Sequence, residues 1–251
     1  MVVIDATGCN MANYSNIKQQ LGSDIECFIF DSIPSTNDYL SGLPFCKNTQ
    51  VCITSEQTQG KGQYNRQWLS KKDASVLLSI RKVFPANVVL NGLSLVVGLA
   101  VIDVLEQYGA KDLKLKWPND VYFNQQKLAG ILIENAIQNQ HQSVVIGLGL
   151  NNNLDKDFSC QTPWTDLFTM LNKSIDLTDL SAKLINSIIE YSHIFEQQGL
   201  PYFQKKWQQY DYLFNAKLEL SYQNKTLTGV AKGISQQGAL IIKTQDETVE
   251  A

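Results

Sequence analysis

The sequence is short of the residues on which many catalytic sites rely. Only two histidines are present, His141 and His193. That count excludes a histidine-rich metal site, and each reads as a surface residue before it reads as a catalyst. The five cysteines, Cys9, Cys27, Cys46, Cys52 and Cys160, are odd in number and form no C-x-x-C pair. Neither a disulfide framework nor a zinc site is expected from them, and a reducing cytoplasm suits them best. Excess basic charge is also missing: 21 Lys plus Arg stand against 24 Asp plus Glu, a net charge of -3. No stripe for DNA or RNA follows from that balance. The N-terminus lacks a basic stretch leading into an apolar one, so no signal peptide is visible. The most apolar run, Leu93 to Ile102, is too short for a bilayer, which needs about 20 residues.

What is present is a chain of 251 residues with 44% apolar content, enough for one large domain, or a large and a small one. Residues 1–24 are polar and mixed, with one or two helical turns expected over Asn16–Leu21. Apolar runs predict strands at Ile25–Phe30, Val51–Thr54 and Val76–Ile80. Between the first two, Ser35 or Thr36 offers an N-cap for a helix. Val88–Tyr108 predicts a buried helix stopped by Gly109. Leu113–Trp117, Val121–Phe123, Leu128–Ile137 and Val144–Leu150 read as further strands, with turns at Pro118-Asn119-Asp120 and Asn124-Gln125-Gln126. Thr178–Gln198 is a second strong helix, capped by Thr178 or Asp179, and Pro201–Tyr212 a third. From Phe214 the pattern changes to short alternating runs around a turn at Gln223-Asn224, a β unit of roughly SH3-like size.

Four segments carry possible chemistry: Ser35-Thr36-Asn37; Gly60 to Trp68; Lys116-Trp117-Pro118-Asn119-Asp120 with Lys127-Leu128-Ala129-Gly130; and Gly147-Leu148-Gly149-Leu150-Asn151. Each alone has a bland reading. Ser35 and Thr36 suffice as helix caps, Trp68 as a core residue and Lys127 as a solvated lysine. Gly147 and Gly149 suffice as relief of crowding in a strand. The loop with Gly60, Lys61, Gly62, Gln63 and Arg66 can be a surface hairpin. It can also be an anion cradle, because glycines let backbone N–H groups approach phosphate oxygens while Lys61 and Arg66 add charge. It is not a Walker loop, since G-x-x-x-x-G-K-[ST] is absent.

Together and in this order the segments are specific. From about Phe30 to Asn151, and more weakly to Lys243, the chain resembles the biotin protein ligases. The resemblance rests on Ser-Thr-Asn, on G-K-G with Arg66 and Trp68, on K-W-P-N-D and K-L-A-G-I-L-I-E, and on G-L-G-L-N. It implies an α+β fold of the class II synthetase-like, biotin/lipoate ligase type: a mixed sheet with helices over 1–213 and a small SH3-like β-barrel over 214–251. It implies that biotin is activated with ATP to biotinyl-adenylate and passed to a lysine of a biotin carboxyl carrier domain, with Mg2+ assisting. By position, Ser35, Thr36, Asn37 and Gln57 would bind the ureido ring and Gly130 would let the backbone approach biotin. Lys61 to Arg66 would fold over the adenylate, and Trp68 would lie beside adenine. Asn119, Asp120 and Asn151 would serve ATP, metal and ribose, and Lys127 would meet the biotin carboxylate and α-phosphate.

A carboxylate is already ionised at pH 7, its pKa being ~4. The obstacle to adenylation is therefore charge repulsion, which cations and positioning answer without histidine. In the second step Asp120 is a candidate to help the acceptor amine lose its proton. Two departures from the family stand out. Gln63 and Tyr64 replace further arginines in the loop, which predicts faster escape of the adenylate. The chain also ends at Ala251, so a short C-terminal domain is expected. Too few residues precede Ser35 for a winged helix-turn-helix, and a repressor role is not expected. A lipoate or octanoate ligase is the nearest enzymatic rival. A non-catalytic biotin-binding module is the third reading. A sheet edge open to a carrier domain or to a second subunit leaves a homodimer open.

Overall fold

The computed structural model describes residues 14, 16–155, 157–222 and 225–251. Cys9, most of the expected polar N-terminal segment and the Gln223-Asn224 turn lie outside them. Elements follow in the order β1 Glu26–Ile33, α1 Thr36–Gly42, β2 Gln50–Gln57, β3 Ser75–Pro85 and α2 Leu93–Gln107. Then come β4 Lys114–Lys116, β5 Asp120–Phe123, β6 Gln126–Gln138, β7 His141–Asn151, α3 Leu167–Leu171 and α4 Leu177–Tyr210. The C-terminal unit is β8 Lys217–Tyr222, β9 Lys225–Ile234, β10 Leu240–Lys243 and β11 Thr248–Glu250. A single 3-10 turn, Ile17–Gln20, stands where helical turns were expected.

Seven strands form one sheet in the order β1-β2-β3-β7-β6-β5-β4, and four form a second in the order β11-β10-β9-β8. Only β1 and β2 pair in parallel; the other pairs of the large sheet are antiparallel. This is the mixed sheet expected. α2 and α4 pack against each other on one face. Most α2 side chains are buried, which explains why that segment is apolar around most of its circumference. The opposite face carries α1, whose Leu40 packs with Cys52 and Val145.

Strand periodicity divides β3 between the two faces. Val76 and Ile80 join the main core, while Ser79 and Arg81 reach α1. Arg81 is 1% exposed and donates to the carbonyls of Leu40, Leu43 and Pro44. Leu40 O also accepts from Leu43 N, while Leu43 and Pro44 lie just beyond the helix, so a buried cation gathers the carbonyls at the end of α1 and in the turn that follows it.

Several boundaries differ from expectation for local reasons. The expected helix over 88–108 begins only at Leu93, because Gly92 takes φ +83° and caps it. Asp176, not Thr178 or Asp179, caps α4, accepting from both backbone amides. α4 breaks at Gly199 (φ 67°), so the two expected helices are two arms of one bent element. α3 and β11 were not expected; each is very short.

The small sheet is held to the large one at a few defined points. Trp117 packs into its apolar face beside Leu240 and Ile242 and donates from Nε1 to Gly238 O at 2.9 Å. Gln204 on α4 donates to Ile234 O at 2.9 Å.

Candidate active site

A cavity of about 560 Å³ opens on the α1 face of the large sheet, a size that suits a small organic ligand. Fourteen of the fifteen expected site residues line it: Ser35, Thr36, Asn37, Gln57, Lys61, Gly62, Gln63, Arg66, Trp68, Asn119, Asp120, Lys127, Gly130 and Asn151. Gly60 lines a second cavity on the other side of the same loop.

One end of the cavity is polar and buried. Ser35 caps α1 by accepting from Asp38 N at 3.3 Å. Thr36 and Asn37 are 3% and 4% exposed. Thr36 N donates to Gln57 Oε1 at 2.8 Å, and Thr36 Oγ1 lies 3.0 Å from the same oxygen. Ser79 Oγ lies 2.6 Å from both Thr36 Oγ1 and Asn37 Oδ1, and Asn37 Nδ2 donates to Glu134 at 2.6 Å. A Cβ at Gly147 would collide with Asn37 Oδ1, so the absence of a side chain there makes room for the amide. Asn37 is thus committed at both ends to the protein.

The middle holds the charge. The K-W-P-N-D turn leads into β5, and a register shift follows Val121 where β5 meets β6. Asn119 closes the turn onto β6: its Nδ2 donates to Ile131 O at 2.7 Å and its carbonyl accepts from Ile131 N at 2.9 Å. Lys127 is clamped by its backbone, its N–H donating to Pro163 O and its carbonyl accepting from Thr165 N. Asn151 Nδ2 donates to Thr165 O at 3.0 Å from the end of β7. Lys127 Nζ then sits 2.7 Å from Asp120 Oδ1 as an ion pair and 5.4 Å above the Trp68 ring. Burial pushes the Asp120 carboxyl up, while Lys127, Lys116 and Arg66 oppose that. Trp68 lies across β6 and β7, where a Cβ on Gly149 would strike its indole and one on Gly130 would come within 2.9 Å of it.

The far end is a loose hairpin. Gly62 N donates to Arg66 O at 2.7 Å and Trp68 N to Gly60 O at 2.9 Å. At the tip Tyr64 takes a left-handed conformation (φ 56°) and is 84% exposed. Lys61 is not aimed at a free anion site here; it pairs with Asp38 on α1. Arg66 is exposed.

Other lining residues were not foreseen. Lys116 lies over Tyr122 and Tyr212. Phe158 and Trp164 meet edge to face at 5.6 Å on the segment that clamps Lys127. Leu218, Glu219 and Leu220 of the small sheet also line the cavity.

Residues 29–151 match the model of the biotin/lipoate A/B protein ligase family, and residues 217–251 match that of the biotin protein ligase C terminal domain. The chain is 32% identical over 237 residues to the bifunctional ligase/repressor BirA of Escherichia coli (strain K12), covering 91% of this chain and 73% of that protein. The chain belongs to the biotin protein ligase family. A biotin--[acetyl-CoA-carboxylase] ligase of Mycobacterium tuberculosis is 42% identical over 106 residues, 40% of this chain and 38% of that one. Among solved structures, the biotin protein ligase from Aquifex aeolicus in complex with biotin and ATP superposes with a TM-score of 0.78 at 25% identity. It covers 90% of this chain and 95% of that one. The family thus accounts for both sheets, the small C-terminal one included.

Proposed function

We propose that this biotin protein ligase binds biotin with its ureido ring at the Ser35–Gln57 end and ATP toward the 60–68 loop. It forms biotinyl-adenylate and passes the biotin to a lysine of a biotin carboxyl carrier protein, such as that of acetyl-CoA carboxylase. The observation that carries this reading is the position of Lys127. Its ammonium lies between a buried hydrogen-bonding end and a glycine loop bearing Lys61 and Arg66.

In the first step the carboxylate of biotin attacks the α-phosphorus and pyrophosphate leaves. Lys127 would leave Asp120 for the two oxyanions that must approach each other, and Arg66 would follow as the loop closes. Lys61 would have to exchange Asp38 for phosphate. In the second step the acceptor amine attacks the acyl carbon of the mixed anhydride, AMP leaves, and Asp120 is placed to take the amine proton. Trp68 and Trp164 offer faces for adenine. The backbone ties of Asn119 and Asn151 suit them to shaping the nucleotide end.

Among the described residues no group of three His, Cys, Asp or Glu side chains could hold a metal. Asp120 alone fits Mg2+ that arrives on the triphosphate, since Mg2+ commonly takes one or two carboxylates plus phosphate oxygens. When bound it would neutralise phosphate charge. The edge of β1, which pairs with no further strand among the described residues, supports docking of the carrier domain or of a second subunit, the latter as a homodimer. Among the described residues no helix is long and apolar enough to cross a membrane, and four cysteines are free; we place the enzyme in the cytoplasm.

Biotin-dependent exchange of pyrophosphate into ATP tests the reading, with lipoate and octanoate in parallel. Exchange with biotin alone is expected. Exchange with lipoate or octanoate instead would reassign the chain to the sister activity. Biotin binding without exchange would leave a binding module.

A further inference from the structure

The polar end of the cavity contains more oxygen contacts than hydrogens to fill them. A carboxylate accepts only, so the Asn37 amide nitrogen must face Glu134 and its oxygen must face Ser79. An amide oxygen also accepts only, so Ser79 donates its one hydrogen to Asn37. The 2.6 Å contact between Ser79 and Thr36 must then be filled by the Thr36 hydroxyl hydrogen. That leaves Thr36 Oγ1 and Gln57 Oε1 3.0 Å apart with no hydrogen between them. Gln57 cannot turn its amide nitrogen inward, because Thr36 N–H needs the oxygen at 2.8 Å. Three oxygen–oxygen contacts share two hydroxyl hydrogens.

Both residues of the unfilled contact, Thr36 and Gln57, line the cavity, whereas Ser79 is fully buried behind them. An incoming N–H group would supply the missing hydrogen. A ligand head offering only acceptors or hydrocarbon would leave two oxygens facing each other in a desolvated corner, which is unfavourable. We propose that Ser79 and Glu134 are specificity-determining positioning residues: through Asn37 they orient the hydroxyl chain so that Thr36 and Gln57 demand an N–H donor from the ligand. Neither need touch the ligand. This rests on the biotin reading, whose ureido ring carries two N–H groups. It gives a physical reason for rejecting a dithiolane or an alkyl chain of similar length.

If Ser79 becomes Ala, the Thr36 hydrogen is free to return to Gln57, and the demand for a ligand N–H disappears. The test uses titration calorimetry with biotin and with the two cyclic carbamates in which one ureido N–H is replaced by oxygen. These analogues keep the size of the ring. The wild type is expected to prefer biotin over at least one carbamate by about tenfold or more, the scale of one hydrogen bond. Ser79→Ala is expected to shrink that preference to within about threefold, and Glu134→Leu to shrink it by a smaller factor. Ser79→Cys, which keeps a donor of similar size, is expected to recover part of it.

A merely structural role would weaken biotin and carbamate in equal proportion, and an unchanged ratio in Ser79→Ala would overturn the inference. So would a wild type indifferent to both carbamates. Biotin binding without pyrophosphate exchange would overturn the ligase reading and leave this one standing. No biotin binding by the wild type would overturn both.

Discussion

The two ends of the cavity are built to opposite standards. At the end lined by Ser35 and Gln57, Ser35, Thr36, Asn37 and Ser79 are almost fully buried and are tied to three strands and a helix. Arg81 holds the far end of that helix. At the opposite end, the 60–67 loop hangs between two cavities, with an exposed left-handed residue at its tip. A rigid head-group pocket selects; an open loop can admit ATP and then close to exclude water. Order is concentrated at the buried hydrogen-bonding end and withheld at the loop.

The largest expected effect falls on the charge between the two ends. Lys127→Ala should slow adenylation by ~10² or more, by analogy with removing one charge-stabilising donor. Single-turnover formation of adenylate measures it, and an unchanged rate would remove Lys127 from the mechanism. Next comes a matched pair of glycines. Gly147→Ala should expel Asn37 and raise the KM for biotin about tenfold or more, whereas Gly62→Ala should change it less than about twofold. Gly62 has extended backbone and its nearest foreign atom is 3.4 Å away. Equal effects in steady-state kinetics would erase the contrast between the ends.

A smaller effect is expected in the loop itself. Gln63→Arg should slow release of biotinyl-adenylate several-fold, as one more cation faces the phosphate; trapping of released adenylate reads this, and equal release refutes it. The smallest concerns reactivity. Burial raises the Cys27 thiol to about 11 and the Cys52 thiol further, so both stay protonated and shielded at pH 8. Among the described cysteines, exposed Cys160 should be alkylated by iodoacetamide first, with Cys27 and Cys52 labelled only on unfolding, as mass spectrometry would record.

The large sheet, both long helices and the four site segments were readable because each has a strong local cause. α2 is apolar around most of its circumference, and β6 and β7 carry long apolar runs at Leu128–Ile133 and Val144–Leu150. Boundaries set by tertiary contact were not readable. The start of α2 depends on the left-handed Gly92, and although the break near Gly199 was legible, that its two arms form one bent element was not. Ser79 was missed although a sign existed: Ser75, Ser79 and Arg81 are polar positions inside an apolar strand, and such residues are retained when something must be hydrogen-bonded. Trp164 and Glu219 gave no such sign, since only the chain's return brings them to the cavity. Asn37 was read as a ligand contact; it lines the cavity, and its amide also bonds Ser79 and Glu134, partners that the sequence did not announce.

The tryptophans have an optical consequence. The chain has four: Trp68, Trp117 and Trp164 line the cavity, and Trp207 is sealed in the core. Three of the four indoles therefore stand at the walls of the site, with Trp117 at the seam between the sheets. Excitation near the red edge of indole absorption would turn the unmodified protein into its own reporter, with Trp207 as the internal constant against which each substrate's arrival is read.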